Sequence, residues 1–393
     1  MKVLFIPSWL PYRGDPLAGK FFLDQAKALA AAGVADILLL DWGQNEYQLA
    51  LRHPLASLQK LLRSVGQRRG LRDLAAGLNE LRVPHLTWTS LVAKGNIASL
   101  IPRIELPDKP DLIHAQVTFP AGYVSMRLAE RLGVPFIITE HSGPFPFPEF
   151  LKRGAVSPLI TEPLRSAQRI VAVSSHLKQE IRARTGLEAL VIPNPVDTDF
   201  FVPPVNPRPE GPLRLFTLST VSTNKGATDL LQALKLLKSR ARDWHLFWGG
   251  AGPLLSQARK TAEDEGLLNH ITWLGRLTPT QAREQYQLCD CFVMPSRFES
   301  FSLVITEALA CGKPVVATNC GGPRDILNEH CGILVPKQNP SALAEALLKM
   351  SSSYASYAPQ AIREHCVRNF GHTSVSARIG DLYRSVLNVE VTS

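Results

Sequence analysis

Residues Arg297 to Thr318 read RFESFSLVITEALACGKPVVAT, and this stretch decides the fold. Ser300 to Ser302 is a polar turn and Leu303 to Ala310 an apolar helical run. Gly312 stops that run, and Pro314 to Thr318 follows as a β-branched strand. A loop, a helix and a buried strand in that order belong to a parallel α/β sheet. Two carboxylates, Glu299 and Glu307, stand eight residues apart across the start of the helix. Glu299 is then in the loop and Glu307 about one turn inside. The backbone N–H groups of Phe301, Ser302 and Leu303 become the unpaired donors of a helix N-terminus, a place suited to phosphate.

The same alternation runs outward in both directions. Toward the N-terminus, strands are expected at Lys2 to Pro7, Ala35 to Asp41, Asp111 to Ala115, Pro135 to Glu140, Arg169 to Ser174 and Leu190 to Pro193, with a helix from Phe21 to Ala32. Phe201 to Pro212 then carries five prolines and reads as a stiff spacer, the expected domain boundary. Beyond it, strands are expected at Leu213 to Ser219, His245 to Gly249, Ile271 to Leu274 and Cys291 to Met294, before the one at 314–318. A chain of 393 residues suits two cores rather than one. The expectation is an N-terminal doubly wound domain over 1–200, a linker over 201–212 and a second doubly wound domain over 213–370. Two such sheets facing across a cleft would bind ligand beyond their carboxyl strand ends.

Composition narrows the function classes. No apolar run reaches the roughly 18 residues of a spanning helix, and the N-terminal apolar stretch is too short for a secretory signal, so a cytoplasmic location is expected. The six cysteines lack the paired C-x-x-C spacing of a zinc or redox site and read as reduced, buried thiols. The net charge of +9 is concentrated between Leu51 and Arg72, which holds Arg52, Lys60, Arg63, Arg68, Arg69 and Arg72 with no acid, among Leu55, Leu58, Leu61, Leu62 and Val65. This pattern predicts either a basic amphipathic helix on an anionic membrane or a solvated basic face. Nucleic acid is not expected, for want of interleaved aromatics.

Like charges repel, so two carboxylates beside a phosphate site address a neutral group rich in hydroxyls. A nucleoside diphosphate sugar offers two, the ribose and the sugar; the alternative is that both glutamates are solvated ends of an ordinary βα unit. Lys225, in STVSTNKG (219–226), follows a strand and can offset phosphate charge, or is a solvated loop lysine. Gly19 precedes the first helix, where a backbone can approach phosphate or merely turn. His141, in ITEHSG, follows a strand and suits a bond to a hydroxyl or a structural role. His114 lies inside an apolar strand and reads as a core or cleft-lining residue. Asp197-x-Asp199 in NPVDTDF has the look of a metal motif.

With E-x7-E set between Met294-Pro295-Ser296 and ALACGKPVVAT, the chain resembles the retaining family 4 glycosyltransferases. The resemblance implies the GT-B fold, two Rossmann-like domains, with a final helix near Ser374 to Leu387, in 371–393, crossing back to the first. It assigns Glu307 to the ribose hydroxyls, Glu299 to the donor sugar, and Lys225 to the diphosphate. Thr220 stands where the family's G-R-L-x-x-x-K-G pattern has arginine, a departure that leaves the second positive charge unassigned. Gly249 to Pro253, GGAGP, resembles the G-x-G-P turn, Gly275 and Arg276 the loop whose backbone reads the base, and His141 the histidine near the reacting centre. NPVD resembles the linker segment, which together with the fold implies no metal and no cofactor. The implied partners are a nucleotide sugar donor and a sugar or lipid-linked glycan acceptor, as in cell-surface polysaccharide assembly. The implied reaction retains configuration by front-face attack, the diphosphate itself helping to deprotonate the acceptor. Two rivals use the same residues: a nucleotide-sugar epimerase or hydrolase of this fold, and a non-catalytic nucleotide-binding protein.

Overall fold

The computed structural model describes residues 1–44, 46, 48–49, 54–64, 68–88, 97–206, 211–241 and 243–388, with side chains undescribed at 48, 54, 56, 63–64 and 87–88. The chain divides into two compact units, one of 1–194 with 375–393 and one of 195–374.

In the first unit the chain forms β1 (Lys2–Pro7), α1 (Lys20–Ala31), β2 (Asp36–Asp41), α2 (Pro54–Ser64), β3 (Gly70–Ala75), β4 (Leu78–Arg82), β5 (Leu112–Gln116), α3 (Tyr123–Leu132), β6 (Phe136–Glu140), α4 (Pro158–Ser166), β7 (Arg169–Ala172), α5 (Ser175–Thr185) and β8 (Leu190–Val191). The sheet order is β8-β7-β6-β5-β1-β2-β4-β3, parallel throughout except for the β3–β4 pair. Val3 to Pro7 is buried at every residue, as a strand covered on both faces requires. Because β2 lies on one side of β1 and β5 on the other, the chain reverses direction across the sheet at β1. The loops after β1 and β5 therefore open beside one another.

The second unit holds β9 (Leu213–Leu218), α6 (Ala227–Lys238), β10 (Trp244–Gly249), α7 (Leu255–Asp264), β11 (Ile271–Gly275), α8 (Pro279–Leu288), β12 (Cys291–Met294), α9 (Leu303–Ala310), β13 (Val315–Asn319), β14 (Gly332–Pro336), α10 (Pro340–Ser353) and α11 (Pro359–Phe370). Its six strands run parallel in the order β11-β10-β9-β12-β13-β14, so this sheet switches between β9 and β12. The last helix, α12 (His372–Leu387), buries Val375, Ile379, Leu382 and Tyr383 in the core of the first unit.

Two boundaries differ from the sequence expectation. The division falls at 194/195, ahead of the proline-rich segment. Phe201 is buried against Tyr286, and Arg363 holds the carbonyls of Thr198 and Phe201 at 2.8 and 2.9 Å. The described part of the segment, 201–206 and 211–212, belongs to the second unit, and residues 207–210 lie outside the described residues. Of the basic stretch 51–72, expected to be one amphipathic helix or a solvated basic face, the described residues are helical over Pro54–Ser64, and Arg72 lies on strand β3. Residues 51–53 and 65–67, with Arg52 and Val65, lie outside the described residues, as does the side chain of Arg63.

Candidate functional site

The switch between β9 and β12 gathers the residues singled out at the start. The loop leaving β9 carries Lys225 and the loop leaving β12 carries Glu299. Their side chains meet, with Lys225 Nζ donating to Glu299 Oε1 at 2.7 Å. The same carboxylate oxygen accepts from Ser296 Oγ at 2.7 Å. Glu299 is held at its backbone as well, its N–H donating to Cys320 O (3.2 Å) and its carbonyl accepting from Gly322 N (2.9 Å). The loop is thus stitched to the end of β13, the neighbouring strand.

The Lys225 loop reaches Glu299 because residue 226 has no side chain. Gly226 has φ +70°, and a Cβ there would lie 1.9 Å from Pro295 O, so only glycine permits the two loops to touch. A second clamp lies beneath. Arg297 donates from its guanidinium to both carboxylate oxygens of Asp229 on α6 at 2.9 Å, and Arg297 N donates to Asn224 O at 2.8 Å. This two-point pairing fixes the spacing of the loops with the planar geometry that suits arginine; the carboxylate beside it raises the arginine's proton affinity.

Helix α9 starts four residues beyond Glu299. The N–H groups of Phe301, Ser302, Leu303 and Val304 donate to no acceptor among the described residues, which leaves a ring of backbone donors at the helix's positive end. Glu307 stands one turn in, its Oε2 accepting from Tyr286 OH at 2.8 Å. Tyr286 is fully buried, and that burial, with Glu307 next to it, pushes its phenol well above the usual range. The hydroxyl stays a donor to Glu307 at any working pH. Thr220 and Arg276 are exposed at the ends of β9 and β11. Gly275 O accepts from Gly250 N at 2.6 Å, which ties the ends of β10 and β11.

In the first unit, Gly19 caps α1 in the left-handed region, and a Cβ there would strike Trp9 O at 2.5 Å. The next turn of α1 brings Phe21 and Phe22 against the His141 ring, with centroids 5.3 and 5.0 Å away. Gly19 and His141 therefore share one locality. His141 Nε2 meets Gln116 Oε1 at 2.7 Å, and Gln116 Nε2 meets His114 Nε2 at 3.0 Å. His114 Nδ1 meets Tyr383 OH on α12 at 2.7 Å. Burial drives both histidines down to about 3, and the His114 ring nearby is a lesser cause for His141. Both are neutral, and with Gln116 so oriented His141 carries its proton on Nε2. Its Nδ1 has no partner of hydrogen-bond geometry, although Asn194 stands beside the ring. His114 is a core residue, 1% exposed.

Several residues of this locality went unread in the sequence. Glu140, 1% exposed, accepts from Thr118 N and Oγ1, from His141 N and from Ser142 N and Oγ, and so shapes the loop that bears His141. Its one sequence signal is a carboxylate ending an apolar strand. Tyr286, Gln116, Arg297 and Asp229 left none, since each acts through a partner distant in the chain.

Asp197, Asp199 and His372 place a ligand atom each within 4.8 Å of one another, adding a histidine to the acidic pair set aside above. All three are solvent-facing to some degree, and the pairs His372–Asp197 (3.9 Å) and His372–Asp199 (3.5 Å) are accounted for as ion pairs when the ring is protonated. All six cysteines are buried and unbridged. Among the described residues no helix is long and apolar enough to cross a membrane.

Residues 200–366 match the family model described as glycosyl transferases group 1, and residues 18–200 match that of glycosyltransferase family 4. MJ1178 of Methanocaldococcus jannaschii, an uncharacterized glycosyltransferase, is 29% identical over 61% of this chain and 65% of its own. TuaC of Bacillus subtilis, a glycosyltransferase provisionally named for teichuronic acid biosynthesis, is 26% identical over 89% of both chains. A GDP-mannose-dependent phosphatidylinositol monomannoside mannosyltransferase of Mycobacterium tuberculosis is 28% identical over 55% of this chain and 61% of its own. Among solved structures, sucrose-phosphate synthase of Thermosynechococcus elongatus superposes with a TM-score of 0.74 at 18% identity, covering 99% of this chain and all of its own. HepE of Anabaena, solved with UDP, gives 0.70 at 17% identity, covering 98% of this chain and 100% of its own. These likenesses share the GT-B fold, two Rossmann-like units.

Proposed function

We propose that this chain, which belongs to glycosyltransferase family 4, transfers a sugar from a nucleoside diphosphate donor to an acceptor hydroxyl with retention at the anomeric carbon. The observation that carries this is the 2.7 Å contact of Lys225 with Glu299 at the switch point, beside the free N–H groups of α9. A cation and a helix N-terminus together suit a diphosphate. The carboxylate next to them suits sugar hydroxyls. In this reading Lys225 and the α9 amides stabilise the departing diphosphate, Glu299 and Glu307 hold the sugar and the ribose, and His141 offers its bare Nδ1 to a hydroxyl. The backbone at Gly275, with Arg276 and Thr220 near the strand ends, borders the base and phosphates. Gly19 lets a backbone approach from the start of α1. No described carboxylate is assigned as a nucleophile. Front-face attack, with the leaving phosphate taking the acceptor's proton, is the mechanism proposed, and it needs neither metal nor cofactor.

The acceptor proposed is a sugar or lipid-linked glycan of cell-surface assembly, met at an anionic membrane surface by a cytoplasmic, peripheral enzyme. In support, α2 exposes Leu55 (77%), Leu58 (52%), Leu61 (41%) and Leu62 (64%), and Arg68, Arg69 and Arg72 lie exposed just beyond it. Arg69 is paired with Glu105, which leaves Arg68 and Arg72 as the exposed cations near the apolar face, an arrangement that suits insertion among acidic headgroups. Flotation with vesicles containing phosphatidylglycerol should carry the protein upward, and a leucine-to-serine change at 55, 58 and 62 should abolish it; no flotation at low salt refutes membrane contact.

The reaction is tested by incubating the protein with uridine, guanosine and adenosine diphosphate sugars, with and without acceptor glycans. Product that requires acceptor supports transfer. Donor consumed without acceptor means epimerase or hydrolase, and tight binding without turnover means a binding protein.

A further inference from the structure

Ser302 carries two costs at once. Its backbone sits at φ 114°, ψ 82°, in the left-handed region, where a residue other than glycine is strained by about 1–3 kcal/mol. Its side chain is also wasted as an ordinary cap. Serine at the residue before a helix usually accepts from an N–H in the first turn, yet Ser302 makes no such bond to α9. The Oγ is buried and has no hydrogen-bond partner, and the residue is only 7% exposed. An unbonded buried hydroxyl costs about 1–3 kcal/mol more. Glycine at this position would remove the strain and the orphaned hydroxyl together. Four neighbouring N–H groups, from Phe301 to Val304, likewise have no acceptor among the described residues, so the hydroxyl stands among backbone donors that lack the same kind of partner.

We infer that the Ser302 hydroxyl is a direct hydrogen-bond donor to the terminal phosphate of the nucleoside diphosphate. This rests on the reading of the α9 N-terminus as the diphosphate site. The electrostatics give it a purpose. Thr220 supplies no cation where the family pattern has arginine, which leaves Lys225, itself also bonded to Glu299, as the cation assigned to the diphosphate. A hydroxyl adds no charge, but it adds a short donor to a dianionic group in a partly dry corner, where a charge-assisted bond is strong.

The test compares wild type, Ser302→Gly and Ser302→Ala as full-length proteins, by calorimetry with UDP, GDP and ADP and with the corresponding monophosphates. Ser302→Gly is expected to melt at the wild-type temperature or above it, since it relieves strain, while binding the preferred diphosphate roughly ten- to a hundredfold more weakly. Ser302→Ala should lose the same affinity without the thermal gain. Monophosphate binding should change less than about threefold in both, because the missing contact is to the outer phosphate. Diphosphate binding by Ser302→Gly within about twofold of wild type overturns the inference, as does an equal loss for mono- and diphosphate, while either result leaves α9 as the phosphate site. A wild type that binds no nucleoside diphosphate, or none in preference to its monophosphate, overturns the inference and the site reading together.

Discussion

Lys225→Ala is the perturbation that most directly probes the site. The ammonium donates at 2.7 Å to Glu299 Oε1, and Ser296 Oγ holds the same oxygen at 2.7 Å. The pair is only partly withdrawn from water, with side-chain exposures of 30% and 12%, so its loss should cost the fold about 1 kcal/mol or less. Its loss to the reaction is larger. Removing one preorganised contact to a developing anion typically costs about 3 kcal/mol, roughly a hundredfold or more in turnover. Glu299→Gln should cost a similar factor, by taking away the proposed ligand of the donor sugar and the group that holds the lysine. Because the two side chains touch, their effects should not add. Steady-state rates with the donor varied, read as nucleoside diphosphate released and as glycosylated acceptor, close the cycle: the double variant should fall within about fivefold of the worse single variant. Lys225→Ala turning over within about threefold of wild type would refute the assignment of the leaving-group site, and full additivity, near ten-thousandfold, would refute the direct coupling.

Tyr286→Phe removes the donor at 2.8 Å from Glu307 and should weaken nucleoside diphosphate binding roughly fivefold with little change in turnover; unchanged affinity by calorimetry would dissociate Glu307 from the nucleotide. Asp229→Asn strands the Arg297 guanidinium, 28% exposed in a clamp whose other side chain is 10% exposed. It should cost about 2 kcal/mol, a fall of roughly 4–8 °C in melting temperature, and a melt within a degree of wild type would show the clamp to be slack. His114 and His141 are held near 3 against 6.5 for a free ring, so the unfolded chain binds more protons between those values. Stability is therefore complete above about pH 6.5 and falls on acidification, by up to about 2.7 kcal/mol per pH unit, and His141→Asn should roughly halve that slope between pH 6.5 and 5.

What the sequence disclosed follows from how locally each feature is encoded. Strand β12 and helix α9 have the bounds expected of them, Cys291–Met294 and Leu303–Ala310. Their signals, an apolar run, a polar turn and a stopping glycine, lie within a few residues of each other. Strands β3 and β4 escaped notice because GLRDLA and LNELR mix charges into a sheet edge that is solvated on one or both faces. The strand β14, GILVP, is too short and apolar to distinguish from a loop that packs inward. Helix α2 was read as longer than it is, since basic residues continue past Ser64 into a strand, and charge carries no period of its own.

The candidate site divides along the same line. Lys225, Glu299 and Glu307 are legible because each sits at a fixed offset from a helix start, and that offset is a property of one segment. Their positioning is written elsewhere. Tyr286 on α8, Asp229 on α6 and Gly226 each work by meeting a group far along the chain, so no window of sequence contains both halves of the contact. Ser302 lies between the two cases. Its residue type was visible, in a polar turn just before a helix, where a serine is commonly an ordinary cap. Only the backbone angle and the unpartnered oxygen show that it is not one. A side chain that breaks the local rule where four backbone donors also lack acceptors among the described residues marks a corner whose strain the rest of the fold offsets, and local conflict of that kind is the pattern expected where a chain is shaped for a ligand.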